Sequence, residues 1–372
     1  MKKIGITGQH GFIGKHLYNT VGLFPDELER IDFDKSYFDL PEKLDEFVGK
    51  CDVIVHLAAK NRHNDPEVIY QTNTGLVKAL VASLERTKSK AHVLFSSSSQ
   101  EERDNLYGRS KKEGREILSQ WAEKSGGAFT GMVIPNVFGP FGHPFYNSVV
   151  ATFCHQVSHN EEPKIDVDGD MKLIYVGELV KAILEEIRSG KSNPFFVVPH
   201  TSESKVSAIL TLLQTYKDQY QDKGIIPVIN STFELNLFNT YRCYMDIENY
   251  FPVKFTQHTD PRGAFVEVIR LNMSGQVSFS TTVPGITRGN HFHTRKIERF
   301  AVIKGKALIQ LRQIGTDKTL DFYLDGYEPA YVDMPVWFTH NIKNIGEEEL
   351  YTIFWINEFY DPNDADTYFE AV

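Results

Sequence analysis

Four residues in the last third of the chain, His291, His293, Glu298 and His340, are of the types that hold a divalent metal. In an extended strand alternate side chains share a face, so His291 and His293 point one way and Phe292 the other. Glu298 follows across a short polar gap that reads as a turn, with Phe300 to Ile303 as the next buried strand. His340, in Met334-Pro-Val-Trp-Phe-Thr-His340-Asn, adds a third imidazole. Such a set suits a borderline ion such as zinc, iron, manganese or nickel. A second group lies in the first third, where Tyr107 and Lys111 stand four residues apart, on one face if the segment is helical. A free phenol has a pKa of about 10, and a neighbouring ammonium favours the phenolate. Tyr107 can then give a proton to a carbonyl oxygen as hydride reaches its carbon, with a serine of the Ser96 to Ser99 run holding that oxygen.

These groups need elements to place them. Lys3-Ile-Gly-Ile-Thr7 is a short apolar strand running into Gly8-Gln-His-Gly11-Phe-Ile-Gly14 and then into a helical pattern. The three glycines serve a tight turn, backbone approach to a pyrophosphate and close helix packing, with the anion on the amides of the helix N-terminus. A second strand is expected over residues 29–33, leaving Asp32 or Asp34, the latter favoured, near an adenosine ribose; Lys35 beside it leaves NAD and NADP both open. Asp39 and Leu40 lie next to that adenine region. Residues 52–59 form an apolar run ending Leu57-Ala58-Ala59, Asn73-Thr-Gly75 is read as opening a helix, and Ala91 to Phe95 is a strand from whose end the serines hang. Residues 207–220 show a helical period that closes the first half, and residues 235–244 are expected to pack as a short helix at the junction. From Phe255 onward the pattern changes to many short alternating strands, as in a sandwich or barrel.

A length of 372 residues suggests two domains, and a hydrophobic fraction of 41% with 24% charged residues is ordinary for a globular protein. The net charge of −9 argues against broad affinity for nucleic acid or anionic membrane, so an anionic ligand needs a local pocket. Three scattered cysteines, Cys51, Cys154 and Cys243, indicate neither a disulfide framework nor a thiolate metal site. With no signal-like segment and no long apolar run, the expected location is the cytoplasm, without membrane insertion.

Gly8, Gly11, Gly14, His56-Leu-Ala-Ala59, Asn73, the serine run, Tyr107, Lys111 and Asn136-Val-Phe-Gly-Pro140 together resemble an extended short-chain dehydrogenase/reductase. That resemblance implies Ser98 as the catalytic serine, although Ser97 and Ser99 stay open, with Tyr107 as proton donor and Lys111 as its partner. It implies dinucleotide contacts from Gly8, Gly11, Phe12, Ile13, Gly14, Asp34, Asp39, Leu57, Ala58, Ala59, Asn73, Tyr107 and Lys111. Ile134-Pro135 stand where that family often has an arginine, and Lys172 is a candidate phosphate contact. The later spacing, Gly285-x5-His291-x-His293-x4-Glu298-x6-Gly305, resembles the first cupin motif, and Gly326, Pro335, His340 and Asn344 a looser second one in which Trp337 replaces glycine. Asp260-Pro-Arg262-Gly263 through Glu267 resembles the opening of cupin-fold keto-epimerases of nucleotide sugars.

The joined order resembles bifunctional capsule-precursor enzymes of the CapF type over essentially the whole chain. The fold expected is α/β, a Rossmann-type doubly wound parallel sheet over residues 1–247, plus an all-β cupin jelly-roll barrel over 248–372. The resemblance implies C3 epimerisation of a UDP-2-acetamido-2,6-dideoxy-4-hexulose in the cupin. NADPH-dependent reduction of the C4 ketone follows, with NADH as the other option, to a talose-configured product on the route to UDP-N-acetyl-L-fucosamine. It also implies one divalent metal, zinc first, and a homodimer. Glu267, Arg262, Lys296 and Tyr331 are candidate acid and base residues of the cupin. The alternative readings are a reductase whose cupin only binds or dimerises, a reductase fused to another metal-cupin activity, and a dinucleotide sensor.

Overall fold

The computed structural model describes residues 1–261 and 263–372. Packing divides the chain into two compact units, one of Met1–Thr152 and Val167–Val206, the other of Phe153–Asp166 and Ser207–Val372. The helices between residues 207 and 247, read from sequence with the first half, therefore lie in the second unit.

The first unit contains β1 (Lys2–Thr7), β2 (Leu28–Ile31), β3 (Val53–His56), β4 (His92–Ser98), β5 (Phe129–Ile134), β6 (Asn136–Phe138), β7 (Asp170–Tyr175), β8 (Asn193–Val197) and β9 (Ser202–Lys205). Six of these form a parallel sheet in the order β2-β1-β3-β4-β5-β8, and β6, β7 and β9 form a small separate sheet. Helices cover both faces of the large sheet, which is why β3 and most of β4 are buried without alternation. Side chains still sort by parity. Val55 and Leu94 enter one core with Ile4, Leu17 and Ile183, while Ile54, Val93 and Phe95 enter another with Phe47, Leu118 and Trp121. Strands leave β1 in opposite directions, β2 on one side and β3 on the other, so a crevice opens beyond the carboxyl ends of β1 and β3.

Two local expectations are corrected. The helix containing Asn73 starts at Pro66, not at Asn73, because the Asp65 side chain caps the Glu67 amide and Pro66 occupies the first turn. The serines do not hang beyond their strand either; β4 runs through Ser98.

The second unit carries β10 (Val253–Lys254), β11 (Gln257–Asp260), β12 (Gly263–Val266), β13 (Gln276–Thr282), β14 (Thr287–Phe292), β15 (Glu298–Lys304), β16 (Lys306–Gln313), β17 (Thr319–Asp325), β18 (Ala330–Met334), β19 (Phe338–Asn344), β20 (Leu350–Ile356) and β21 (Tyr368–Phe369). Ten of them make two five-stranded sheets, β10-β18-β15-β20-β13 and β17-β16-β19-β14-β21, the double-sheet arrangement of a jelly roll.

In β15, Arg299 lies opposite Asp333 and Trp355, while Glu298 lies opposite Met334 and Ile356, so neighbouring residues serve opposite faces. On the Arg299 face the guanidinium forks onto Asp333 at 2.8 and 3.0 Å and reaches the Gly224 carbonyl at 3.1 Å. Tyr220, in a widened helical turn over Lys217–Gln221, donates to Asp333 at 2.6 Å. Arg242, in the helix Thr232–Arg242, donates to Tyr220 Oη at 3.3 Å and to the Met334 carbonyl at 2.9 Å. All four side chains are buried.

Removing one partner of a buried charge pair leaves the other uncompensated. Asp333→Ala is therefore expected to destabilise this unit by about 3–5 kcal/mol. Denaturant unfolding followed by the fluorescence of Trp337 and Trp355 tests this; a loss below about 1 kcal/mol, the range of an exposed pair, would contradict it.

Candidate active site and metal centre

The crevice of the first unit is built by backbone meeting backbone. Gly8 has φ +77°, and a Cβ on Gly14 would lie 2.1 Å from the Gly8 carbonyl oxygen, so neither position admits a side chain. The helix Phe12–Val21 begins at Gly11 without a side-chain cap, leaving its first amides free to face an anion. Phe12, Ile13, Leu57, Ala58 and Ala59 are half-buried around this turn. Thr7 Oγ1 and His56 Nδ1 meet at 2.7 Å. Burial, helped by the Lys111 charge, pushes His56 down to about 3, so its ring is neutral. His16 was not singled out in the sequence; its Nε2 meets the Pro140 carbonyl oxygen at 2.9 Å and ties the first helix to the Asn136-Val-Phe-Gly-Pro140 segment.

The acidic candidates behave differently from one another. Asp34 is exposed, and its carboxylate accepts from the Ser36 amide at 2.8 Å and hydroxyl at 2.6 Å, bonds that lower its pKa. Asp32 accepts from Tyr18 at 2.8 Å, and Asp39 is exposed. Asn73 is buried and clips the segment after β3, accepting from the Lys60 amide at 2.7 Å and donating to the Lys60 carbonyl and to Ser110 Oγ, both at 3.1 Å. Asn136 donates to the Lys172 carbonyl at 3.2 Å.

Ser98, Tyr107 and Lys111 come together at the carboxyl end of β4. Burial pushes the Tyr107 phenol up to about 12, opposed by its hydrogen bond with Ser98. Burial also brings Lys111 down to about 8, opposed by the charge of Glu101. The ammonium donates to the Ser96 carbonyl at 2.8 Å and lies 5.8 Å from the Tyr107 ring centre. The phenol is thus raised where a lowering by the ammonium was expected, and burial is the largest cause. Ser97 turns away to donate to Glu101, and Ser98 accepts from the Gln100 amide at 3.2 Å while capping a short turn. A Cβ on Gly108 would sit 2.0 Å from the Gln100 carbonyl oxygen, so the start of the Tyr107 helix is pressed against the turn that follows Ser98.

In the second unit His291, His293, Glu298 and His340 each offer one ligand atom, all within 4.8 Å of one another. His291 and His340 are cross-strand neighbours on β14 and β19, with a bulge at Gly289 to His291 and Asn290 at φ +60° re-aiming the strand. Glu298 comes from the facing sheet. Its Oε2 lies 2.9 Å from His293 Nε2 and 3.3 Å from His340 Nε2. These three buried atoms meet without the geometry of hydrogen bonds, an arrangement that fits a cation between them. Burial, with His340 and His293 adding to it, pushes His291 down to about 4, the neutral form a metal requires. Against burial, which would raise it, His293 and His340 hold the Glu298 carboxyl well below its ordinary range.

The other nitrogens of two of these imidazoles are fixed. His293 Nδ1 meets the Asp366 carbonyl oxygen, and His340 Nδ1 lies 3.2 Å from the Phe338 carbonyl oxygen. The Asp366 carboxylate in turn accepts from the amides of Thr294, Arg295 and Lys296 and from the Thr294 hydroxyl, holding the turn between His293 and Glu298. Trp337, the departure from the second cupin motif, has φ +62°, and its amide donates to the His293 carbonyl at 2.8 Å.

The cupin acid and base candidates are dispersed. Glu267 is exposed and paired with Arg270 at 2.8 Å. Lys296 donates to the Ala365 carbonyl at 2.5 Å. Tyr331 belongs to the Arg299 face of β15 and β18, with Arg299 3.7 Å over its ring, on the opposite side of the sheet from Glu298. Arg262 lies outside the described residues.

The fold and these sites define a dinucleotide-binding α/β unit joined to a cupin with a metal-type cluster. Residues 4–198 match the NAD dependent epimerase/dehydratase family, and residues 258–368 match the polysaccharide biosynthesis C-terminal domain. The chain belongs to the NAD dependent epimerase/dehydratase family, in its CapF-type form with a C-terminal cupin. It is 32% identical over 372 residues to the UDP-2-acetamido-2,6-beta-L-arabino-hexul-4-ose reductase of Pseudomonas aeruginosa PA103, covering 98% of each chain. The crystal structure of the capsular polysaccharide assembling protein CapF from Staphylococcus aureus is similar at 34% identity and a TM-score of 0.64, covering 100% of both chains. RMD from Pseudomonas aeruginosa, solved with NADPH, shares the fold at 19% identity and a TM-score of 0.53, over 59% of this chain and 83% of its own.

Because Gly14 and Gly8 touch through backbone, Gly14→Ala is expected to weaken NAD(P)H binding at least about tenfold, the cost of displacing anion-binding amides by a fraction of an ångström. Quenching of protein fluorescence by NAD(P)H measures this; unchanged affinity would place the pyrophosphate elsewhere.

Proposed function

We propose that this chain is a bifunctional nucleotide-sugar enzyme. Its substrate is a UDP-linked 2-acetamido-2,6-dideoxy-4-hexulose, epimerised at C3 in the cupin and reduced at C4 in the dinucleotide domain to the 6-deoxy-talose product. The observation that carries the reduction is the cluster of Ser98, Tyr107 and Lys111 beside a glycine-only dinucleotide turn. Reduced nicotinamide supplies the hydride for C4. Ser98 holds the ketone oxygen, Tyr107 gives it a proton, and the Lys111 ammonium offsets the phenolate charge left behind. With its phenol up at about 12, Tyr107 keeps the proton until negative charge develops on that oxygen. NADPH is the cofactor favoured here; the Asp34 carboxylate is already engaged by Ser36.

The epimerisation rests on the second cluster. A C4 ketone acidifies the C3 proton, so removing that proton and returning it on the other face inverts the centre. His291, His293, Glu298 and His340 would hold one divalent ion, zinc first, which supplies Lewis-acid stabilisation of the enediolate charge. Reduction consumes the ketone and draws the epimerisation forward, the chemical reason to keep both activities on one chain. No helix among the described residues is long and apolar enough to cross a membrane. A cytoplasmic homodimer completes the proposal.

Incubation of the 4-keto sugar with protein in deuterated water, without nicotinamide, should remove the C3 proton signal in NMR. A folded, metal-loaded protein giving no exchange would make the cupin a binding or dimerising module and leave a single-activity reductase. Tyr107→Phe is expected to lower NADPH oxidation by roughly 10²–10⁴-fold while leaving C3 exchange intact; retained oxidation would remove Tyr107 from the reaction. Elemental analysis should give one divalent ion per chain, falling well below one equivalent in folded His291→Ala. Full occupancy in that variant would refute the ligand set.

A further inference from the structure

Glu101 is a carboxylate whose charge acts on Lys111, and neither motif reading gave it a role. It sits in the short turn Ser99–Glu102 between Ser98 and the Tyr107 helix. Arg115, two helical turns beyond Tyr107, grips it through Nε at 3.0 and 3.2 Å and through Nη2 at 2.8 Å. Both side chains are largely withdrawn from water, at 13% and 7% exposure, and Arg115 also lies 4.7 Å from the Phe195 ring centre. Ser97 donates to the same carboxylate, while the preceding residue, Ser96, accepts the Lys111 ammonium through its carbonyl. One short piece of β4 thus joins the acid to the strand end and the ammonium to the strand backbone. The turn that Glu101 anchors is the one pressed against Gly108, next to Tyr107.

We infer that Glu101, clamped by Arg115, is a positioning residue of the reductase site: it fixes the Ser98 turn against the Tyr107 helix and sets a negative charge on Ser97, next to the residue whose carbonyl holds the buried Lys111 ammonium. The inference rests on the reductase reading above for its catalytic meaning. Among the described residues, groups facing Lys111 come from several elements, the Phe95 ring of β4 lying 5.2 Å from the ammonium. Tyr107 lies on its own helix, His56 comes from β3 and is neutral, and Glu101 comes from the turn with Arg115 behind it. Lys111 sits near 8 because burial lowers it and Glu101 supports it. Its ammonium is present below that pH and is lost as the pH rises through it. The phenol remains protonated throughout, so the alkaline limb of reduction reports Lys111.

The two halves of the clamp therefore have opposite effects. Glu101→Gln keeps shape and hydrogen bonding but removes the supporting charge, so the Lys111 midpoint should fall by roughly half a pH unit or more. Arg115→Met leaves the carboxylate unneutralised and should move the midpoint upward by a similar amount, while Arg115→Lys restores it. A merely structural clamp would give changes of one sign, or none. The measurement is a 13C titration of lysine-labelled full-length protein, with the Lys111 signal assigned by its loss in Lys111→Arg. The alkaline limb of NADPH-dependent ketone reduction is followed in parallel. Opposite shifts establish the role; shifts of the same sign, or no shift, overturn it. If Glu101→Gln does not fold, the two Arg115 variants decide alone. If wild-type protein reduces no 4-keto sugar, the reductase reading fails while the titration still decides on Glu101.

Discussion

Charge taken out of water is costly unless an opposing charge or an aimed dipole replaces the lost hydration, and both halves of this protein are organised by that cost. Lys111 is buried against the Ser96 carbonyl, and the charge of Glu101 acts on it. Glu298 is buried among imidazoles, and Arg299 and Arg242 are buried around Asp333 and Tyr220. In each case the compensating group is fixed by an element that the chain supplies from elsewhere, so the charge also specifies how the elements pack. The surface ion pairs, such as Lys43 with Glu46, carry no such information, because water screens them.

The strand Glu298–Lys304 shows how little separation this requires. Glu298 points to the imidazoles and Arg299, its neighbour, points to the helices on the other side. A one-residue slip would put the guanidinium among the imidazoles and the carboxylate against a helix. Register is therefore enforced from both faces at once, which is a reason for a buried ion pair beside a metal-type site even where apolar packing alone would stabilise as much.

What could be read from sequence follows from the range of the interaction involved. The glycine turn, the Tyr107 and Lys111 spacing and the His291, His293, Glu298 series are local patterns, and each sits within one or two elements whose period fixes its geometry. His340 was legible as a further imidazole in the order Gly326, Pro335, His340 and Asn344, which resembles the second cupin motif. Asp366 was not, since it reaches back some seventy residues to hold the His293 turn. His16 and Arg115 were hidden for the same reason: their partners are fixed by tertiary packing and no spacing announces them. The misplaced start of the Asn73 helix is a different kind of miss. Asp65-Pro66-Glu67 is the local start signal, while the Asn73 side chain serves the Lys60 backbone from mid-helix.

Tyr331 is the instructive member of the cupin candidates. A tyrosine in a barrel strand suggests a proton donor, but parity assigns it to the face of β18 that carries Asp333, where Arg299 covers its ring. Strand alternation is thus the test a candidate must pass before its chemistry is considered. Applied to β15, the same test admits Glu298 and Phe300, whose ring lies edge-on to His340 at 5.9 Å, and rejects Arg299. On that face of the sheet Glu298 and Phe300 are in register with the apolar Met334, Val332, Ile356 and Phe354, and further along with the polar Gln276, Ser278, Ser280 and Thr352. A proton relay for the proposed C3 epimerisation would be drawn from side chains that share that face, because a residue across the sheet would have to pass its proton through a packed, hydrogen-bonded layer.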